Sequence, residues 1–354
     1  MFVRRRPRLP TRVVVQVTHR PPAPIPRYVD QVAVASCETI EVRYAPAPLR
    51  RLDVDVIHVA DEHLDTLIGV PNTNPLRWAL ATTLLVCLLR VGRVALVRRV
   101  DPSRHPRQGS WLTRAARGML DRSTAMFVGF DETAALPRSG RFTVIPHAHF
   151  RDRFVGYPRA ALVPGRVLCM STTQLGPHVD AAVRAIHAAR TPGVTGRFAG
   201  RVPGEVADRL TALCAQHPAD TSTRLDVMSD GAQVQEIDAA ELILAPGSGS
   251  LEHLQVVFLA LSLGRAVLVN RTDATERLAD DTGEGWVHFY DDVVTGEDID
   301  AALAASRAAS TSRPRLDGRD LDTVGAAYAD MFRHVVTTRR HTHTAPHNAG
   351  DSRE

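Results

Sequence analysis

Gly247-Ser248-Gly249-Ser250 is a run of small residues set between two apolar segments. Before it, Leu242–Ala245 is short and apolar, fit for a buried parallel strand, and Pro246 stops it. After it, Leu251–Leu263 is apolar over a helical length, followed by Gly264 and a second buried strand, Ala266–Asn270. Strand, glycine-rich turn, helix, glycine stop and strand together make a βαβ unit of an open α/β sheet. The first turn of such a helix leaves N–H groups without intrahelical partners, and the helix dipole adds positive potential. A phosphate or another anion is the ligand that suits this chemistry. Ser250 reads equally as a helix N-cap, and Glu252 as a first-turn acid that favours the dipole. Both fit a plain strand-to-helix connection as well.

The elements around this unit follow one grammar. In the first half, Thr11–Val17, Thr39–Tyr44, Asp55–Val59, Val94–Arg98, Thr124–Val128 and Phe142–Ile145 read as strands. Between them, Tyr28–Ala35, Pro75–Arg90 and Trp111–Asp121 read as helices. Strands that are mostly apolar and alternate with helices describe a doubly wound parallel sheet. Pro158–Gly165 reads as a linker, after which a second series begins with strand Arg166–Met170 and helix Pro177–Ala189. It continues through strands Gly196–Ala199 and Thr223–Val227, the central unit, strand Trp286–Tyr290, helix Glu297–Ala309 and a last helix Leu321–Val336. The expected organisation is residues 1–157 as one Rossmann-like domain, 158–338 as a second, and 339–354 as a disordered tail, with a ligand cleft between the domains.

A chain of 354 residues with 44% hydrophobic and 23% charged residues is an ordinary globular composition. The net charge of +4 comes without a single lysine; all 43 cations are arginines, spread along the chain and not interleaved with aromatics. That excludes a nucleic-acid footprint. Cys37, Cys87, Cys169 and Cys214 lie far apart, three of them in apolar runs, without metal-ligand spacing, and read as buried thiols in a reducing compartment. The N-terminus is basic but lacks the apolar core of a signal peptide. The longest apolar run, Trp78–Leu89, is shorter than the roughly 20 residues of a spanning helix. Flanked by Arg77 and Arg90, it either packs between the sheet and its neighbours or lies at a membrane interface.

Several segments resemble GT-B glycosyltransferases. Glu236–Pro246 resembles the family's short helix leading into a strand that ends in proline, and Leu259–Val267 (LALSLGRAV) resembles its ALSxGRPV segment. Gly283–Asp291 resembles the strand that follows. Val144–Phe150 (VIPHAHF) resembles the V-I-P-H-G-H-Y at the domain junction of a bacterial exopolysaccharide and glycolipid branch. The resemblance covers roughly residues 10 to 310. It implies an α/β fold of two Rossmann-like domains facing a cleft, and transfer of a sugar from a UDP- or GDP-linked donor to a polysaccharide or glycolipid acceptor. It implies no metal and no other cofactor. The charge on the leaving diphosphate would be met by helix N-terminal N–H groups and cations.

Within that family pattern, Gly249 and Ser250 are the expected donor-phosphate contacts, with Glu252 in the same first turn. Where family members carry an arginine and a lysine, the loop Ser171–His178 carries only His178. Arg201, after strand Gly196–Ala199, is a second candidate cation. Two acidic residues spaced eight apart are common in retaining members; here Glu252 is followed eight residues on by Ala260. An inverting transfer needs one general base, for which Asp61, just past the third strand, is the candidate; a solvated loop or a helix cap is the alternative. His147 and His149 either contact donor and acceptor, His147 in catalysis and His149 at the donor, or hydrogen-bond the domain hinge. Asp53-Val54-Asp55 spells D-x-D but precedes its strand, and reads as a turn. Dinucleotide, P-loop, nucleophile-elbow and zinc signatures are missing.

The expected protein is therefore a cytoplasmic glycosyltransferase, with a nucleotide-sugar and a glycan or lipid-linked acceptor as partners and the inner-membrane surface beside it. The alternatives are a catalytically weak GT-B-like binding protein, or another enzyme on the same double fold, such as a polysaccharide pyruvyl transferase or sugar epimerase.

Overall fold

The computed structural model describes residues 12–18, 28–45, 53–71, 73–100, 110–130, 141–170, 178–217, 220–247, 251–309 and 313–344. The first half contains β1 (Val13–Thr18), α1 (Tyr28–Ala33), β2 (Ile40–Ala45), β3 (Val56–Ala60), α2 (Leu64–Ile68) and α3 (Pro75–Val91). It continues with β4 (Ala95–Arg99), α4 (Trp111–Ser123), β5 (Thr124–Gly129) and β6 (Phe142–Val144). The second half runs β7 (Arg166–Met170), α5 (Val179–Ala188), β8 (Thr195–Ala199), α6 (Gly204–Gln216), β9 (Thr221–Arg224) and α7 (Asp230–Ala239). Then come β10 (Leu242–Ala245), α8 (Leu251–Ser262), β11 (Ala266–Asn270), α9 (Asp273–Thr282), β12 (Val287–Tyr290), α10 (Gly296–Ala308) and α11 (Leu321–Thr344).

Two six-stranded sheets result, ordered β2-β1-β3-β4-β5-β6 and β12-β11-β10-β7-β8-β9, with every pairing parallel. Parallel strands with helices on both sides must be apolar on both faces, and alternate residues divide between two cores. Val56 and Ala60 of β3 face the core shared with α11, whereas Ile57 and Val59 face the one shared with α3 and α4. In the second sheet Ile243 and Ala245 join one core with α8, while Leu242 and Leu244 join the other with α5 and α10. Local chemistry starts the helices where expected: Asn74 accepts the Arg77 N–H with Pro75 at the first helical position, and Ser110 caps α4.

The structure corrects the expected boundaries in four places. The strand expected at Thr223–Val227 is β9, two residues earlier, because Gly196 pairs with Thr221 in the ladder and leaves Val227 exposed. Phe150 and Phe154, before the 157/158 boundary, pack in the second domain's core, so the chain crosses over near Ile145–Phe150. The last helix, α11, was assigned to the second domain; instead Val324, Tyr328, Phe332 and Val335 pack into the first sheet's core. Its backbone stays helical to Thr344, so residues 339–344 are not a disordered tail, and Arg339 donates to the Val94 carbonyl. The expected burial of the thiols holds for Cys169 and Cys214, whereas Cys37 and Cys87 are exposed.

Two strands of chain thus cross between the domains, and they touch: the His149 N–H donates to the Arg319 carbonyl at 2.7 Å. The first crossing docks on α8. The Phe150 N–H donates to Ser262 Oγ at 2.8 Å, and the His147 ring stacks on Phe258 with centroids 4.9 Å apart. This explains why α8 is buried all round from Val256 to Leu261. Gly264, at φ 71°, ends the helix in the left-handed conformation that glycine adopts without a steric penalty.

Candidate functional site

In open α/β sheets, ligands bind outside the carboxyl ends of the strands, where strand order reverses. The second sheet reverses between β7 and β10, and the first between β1 and β3. The turn after β10 is the glycine-serine run, so topology places it at a switch point. Its first residue is held: the Gly247 N–H, at φ 123°, donates to the Tyr290 hydroxyl at 3.2 Å. Tyr290 ends β12 and is buried, and burial pushes its hydroxyl pKa up. Sequence reasoning had passed over Tyr290 as a site residue. Its signal was a tyrosine hydroxyl at the carboxyl end of the strand Val-His-Phe-Tyr, the end at which ligands bind in such sheets.

Gly249 and Ser250 lie outside the described residues, as do residues 171–177 after β7. Glu252 sits in the first turn of α8, and its side chain is likewise outside the description. His178 precedes α5, half-buried, and makes no side-chain capping bond there. Arg201 is exposed just past β8, the strand next to β7. The switch point of the second sheet is therefore flanked by the start of α8, the start of α5 and Arg201. That is chemistry for an anion.

Across the molecule, Asp61 follows β3 at the first sheet's switch point and opens a turn of 3-10 helix, Asp61–His63. It does not cap that turn; Ala60 does, without a side-chain bond. Both Asp61 oxygens accept from Arg98 on β4, at 2.9 Å from Nε and 3.0 Å from Nη2. Arg98 also donates to Asp121 on α4. The guanidinium is almost fully buried, yet its pairing with Asp61 and Asp121 outweighs the burial and raises its pKa. Asp61 is thus a carboxylate fixed in orientation, with its side chain 16% exposed. Arg98 was read from the sequence as the last residue of the strand Val94–Arg98, and Arg99 was not part of it. Two adjacent arginines at the buried end of a central strand were the signal.

His147 is not in the crevice. It is fully buried at the crossing, between Phe258 and Phe130, and edge-on to Phe150. Its Nδ1 lies 2.8 Å from the Ala148 carbonyl oxygen, and the Gln31 amide nitrogen lies 2.9 Å from Nδ1 and 3.2 Å from Nε2. The Gln31 Oε1 in turn accepts the Ala148 N–H at 3.1 Å. Burial, with the Arg99 charge nearby, pushes its pKa down to about 3, so the ring is neutral. His149 lies in the same crossing and accepts the Arg151 N–H; burial lowers its pKa too. In this geometry both histidines hydrogen-bond within the domain crossing, and the His147 ring is fully buried there, away from the crevice where catalysis was expected of it. The D-x-D carboxylates likewise shape the strand start: Asp55 accepts the Val14 N–H and Asp53 pairs with Arg43.

Among the described residues, no group of three or more His, Cys, Asp or Glu side chains is placed to hold a metal ion.

No family model matches the chain. Solved structures share its whole architecture. HepE of Anabaena, in complex with UDP and glucose, superposes with a TM-score of 0.54 at 11% identity, over 94% of this chain and 99% of that one. The UDP-GlcNAc 2-epimerase of Neisseria meningitidis, bound to UDP-GlcNAc, superposes with a TM-score of 0.51 at 10% identity, over 91% and 100%. The chain has the GT-B fold, with two doubly wound parallel sheets each carrying a switch point. In sequence it is similar to the GDP-mannose:glycolipid 4-beta-D-mannosyltransferase of Xanthomonas campestris pv. campestris. The two are 24% identical over 321 residues, spanning 89% of this chain and 90% of the relative.

Proposed function

We propose that this protein is a glycosyltransferase that moves a mannosyl group from GDP-mannose to a lipid-linked glycan, at the cytoplasmic face of the inner membrane. The observation that carries this reading is the end-to-end similarity to a glycolipid mannosyltransferase, 24% identity over 89% of the chain. The fold agrees with it but would also suit other nucleotide-sugar chemistry.

A β-linked product from an α-linked donor requires inversion at the anomeric carbon. The acceptor hydroxyl attacks that carbon, the bond from carbon to the diphosphate oxygen breaks, and the hydroxyl proton passes to a general base. Asp61 takes that role in this proposal: it stands at the first sheet's switch point and is held in orientation by Arg98. The leaving GDP carries its charge to the opposite switch point. There Gly249, Ser250 and the first turn of α8, with Glu252 favouring the dipole, accept the diphosphate, and His178 and Arg201 are the candidate side-chain partners. No bound metal is assigned to the reaction.

The test is incubation of the purified protein with GDP-mannose, UDP-glucose or UDP-GlcNAc, with and without a lipid-linked acceptor, in the presence and absence of EDTA. The proposal expects GDP release that depends on acceptor and survives EDTA. Conversion of the sugar without acceptor would make the protein an epimerase on the same fold. Absence of both turnover and thermal stabilisation by any nucleoside diphosphate would overturn the enzyme reading in favour of a binding protein.

A further inference from the structure

We propose that the outer face of α3, together with the start of α4, seats this protein on the surface of an anionic lipid bilayer. A helix on the surface of a globular domain normally turns a charged face outward. The helix α3 does not. Its inner face buries Trp78, Leu85, Val86 and Leu89 against the sheet. Its outer face exposes Leu76, Leu80 and Leu84, followed by Cys87 and Val91. Those positions recur at three- and four-residue steps and form one stripe down the helix. The exposure is large, 63% at Leu80, 61% at Leu84 and 80% at Val91. Trp111, which opens the neighbouring helix α4, is 69% exposed.

The charges around the stripe choose the partner. There is no aspartate or glutamate in α3; its ionic residues are Arg77 and Arg90, and Arg93 follows it, all exposed. In α4 the one acid, Asp121, is paired with Arg98. Leucines and a tryptophan rimmed by arginines match the boundary between headgroups and acyl chains, with the guanidinium groups at the phosphates. A protein partner would also cover leucines, but a helix whose described charges are all arginines, with the neighbouring Asp65 of α2 held by the Trp78 indole N–H, fits an array of phosphates better. No helix among the described residues is long and apolar enough to cross a membrane, so the proposed seat lies in the plane of the surface.

The placement matters for chemistry. Helices α3 and α4 follow β3 and β4 and pack on each other, so Leu76 and Trp111 stand at the carboxyl-end side of the sheet. Asp61 lies at that same end, directly after β3. A lipid-linked acceptor held in the bilayer would present its sugar there. This last step rests on the proposed glycolipid acceptor, whereas bilayer binding itself does not.

Sedimentation with vesicles tests the seat, using phosphatidylcholine alone and phosphatidylcholine with about one-third phosphatidylglycerol. The protein should sediment with the anionic vesicles and lose binding as salt rises. Burying a leucine contributes enough that the double variant Leu80→Glu/Leu84→Glu should bind at least about tenfold more weakly. The variant Arg77→Glu/Arg90→Glu should lose the preference for anionic lipid. All four side chains are exposed, so both variants should keep the parent Tm and, with a water-soluble acceptor fragment, the parent turnover. The proposal is overturned if the parent stays in solution with anionic vesicles, or if Leu80→Glu/Leu84→Glu binds as tightly. It is also overturned if the parent is a dimer that this variant dissociates, since the face would then be a protein interface. Vesicle binding without turnover on any nucleotide-sugar would uphold the seat while removing the transferase reading.

Discussion

At the scale of single residues, Asp61 and His147 show how one side chain's surroundings decide its role. The Asp61 carboxylate stands at a strand end beside a crevice, and Asn in its place keeps the shape and one acceptor for Arg98. Asp61→Asn should therefore lower kcat by about 10²–10⁴-fold with little change in donor KM. It should also lower Tm, because its amide NH2 faces one Arg98 N–H and a buried guanidinium loses a counter-charge. An unchanged kcat would show that the Arg98 pairing is its only purpose. Arg98→Ala leaves two carboxylates without their shared cation and should cost about 3–5 kcal/mol of stability, read by urea denaturation. The histidines predict a pH dependence. His58 and His147 are both fully buried with pKa values pushed down to about 3, far below the 6.5 of an exposed imidazole. Between those values the unfolded chain binds more protons than the folded one, so stability rises with pH across this window and is lost as pH falls from about 6.5 toward 3. With two such groups the slope should approach about 2.7 kcal/mol per pH unit near pH 5. A flat profile from pH 6 to 4.5 in urea denaturation would refute it. From the sequence, Asp61 was the candidate base and His147 a candidate contact to the substrates, and both follow strands. Only the packing of Phe130, Phe150 and Phe258 separates them.

At the scale of elements, the unit β10–α8–β11 was legible because strand and helix periods, proline, and the Gly264 stop all agree. What covers α8 was not legible. An all-apolar helix states that it is buried but not by what, and here the answer is the inter-domain crossing. The bond from Gly247 to Tyr290 is the other element-scale finding, since it ties the start of the glycine-serine turn to the last strand of the sheet. Tyr290→Phe leaves a buried N–H without its acceptor. It should cost about 1–3 kcal/mol of stability and raise the KM for the nucleotide-sugar more than it lowers kcat. A normal donor KM in a destabilised variant would confine Tyr290 to a structural role.

At the scale of the molecule, the chain does not divide where its sequence does. The helix α11 returns to the first sheet, and Arg153 on the crossing segment pairs with Asp30 of the first domain and Asp230 of the second, at 3.2 and 3.0 Å. Phe332 is fully buried in the first sheet's core although it lies at the far end of the sequence. Phe332→Ala should cost about 3–5 kcal/mol, and hydrogen exchange should show the loss in β1, β3 and β4 while β7 and β10 keep their protection. Loss of protection confined to the second sheet would contradict the packing.

The alternation of short apolar runs with helical periods determined two doubly wound sheets by itself, because backbone pairing and side-chain burial at each strand demand those letters locally. The same local logic marked the turns at strand ends where a nucleotide-sugar would bind. Tertiary structure alone decided which of those turns meet across a switch point, which arginine grips Asp61, and that His147 is walled in by aromatic rings. It also decided that α3 keeps a bare apolar face and that the last helix belongs to the first domain. These are contacts between residues distant in sequence, and no periodicity within a single segment encodes its partner.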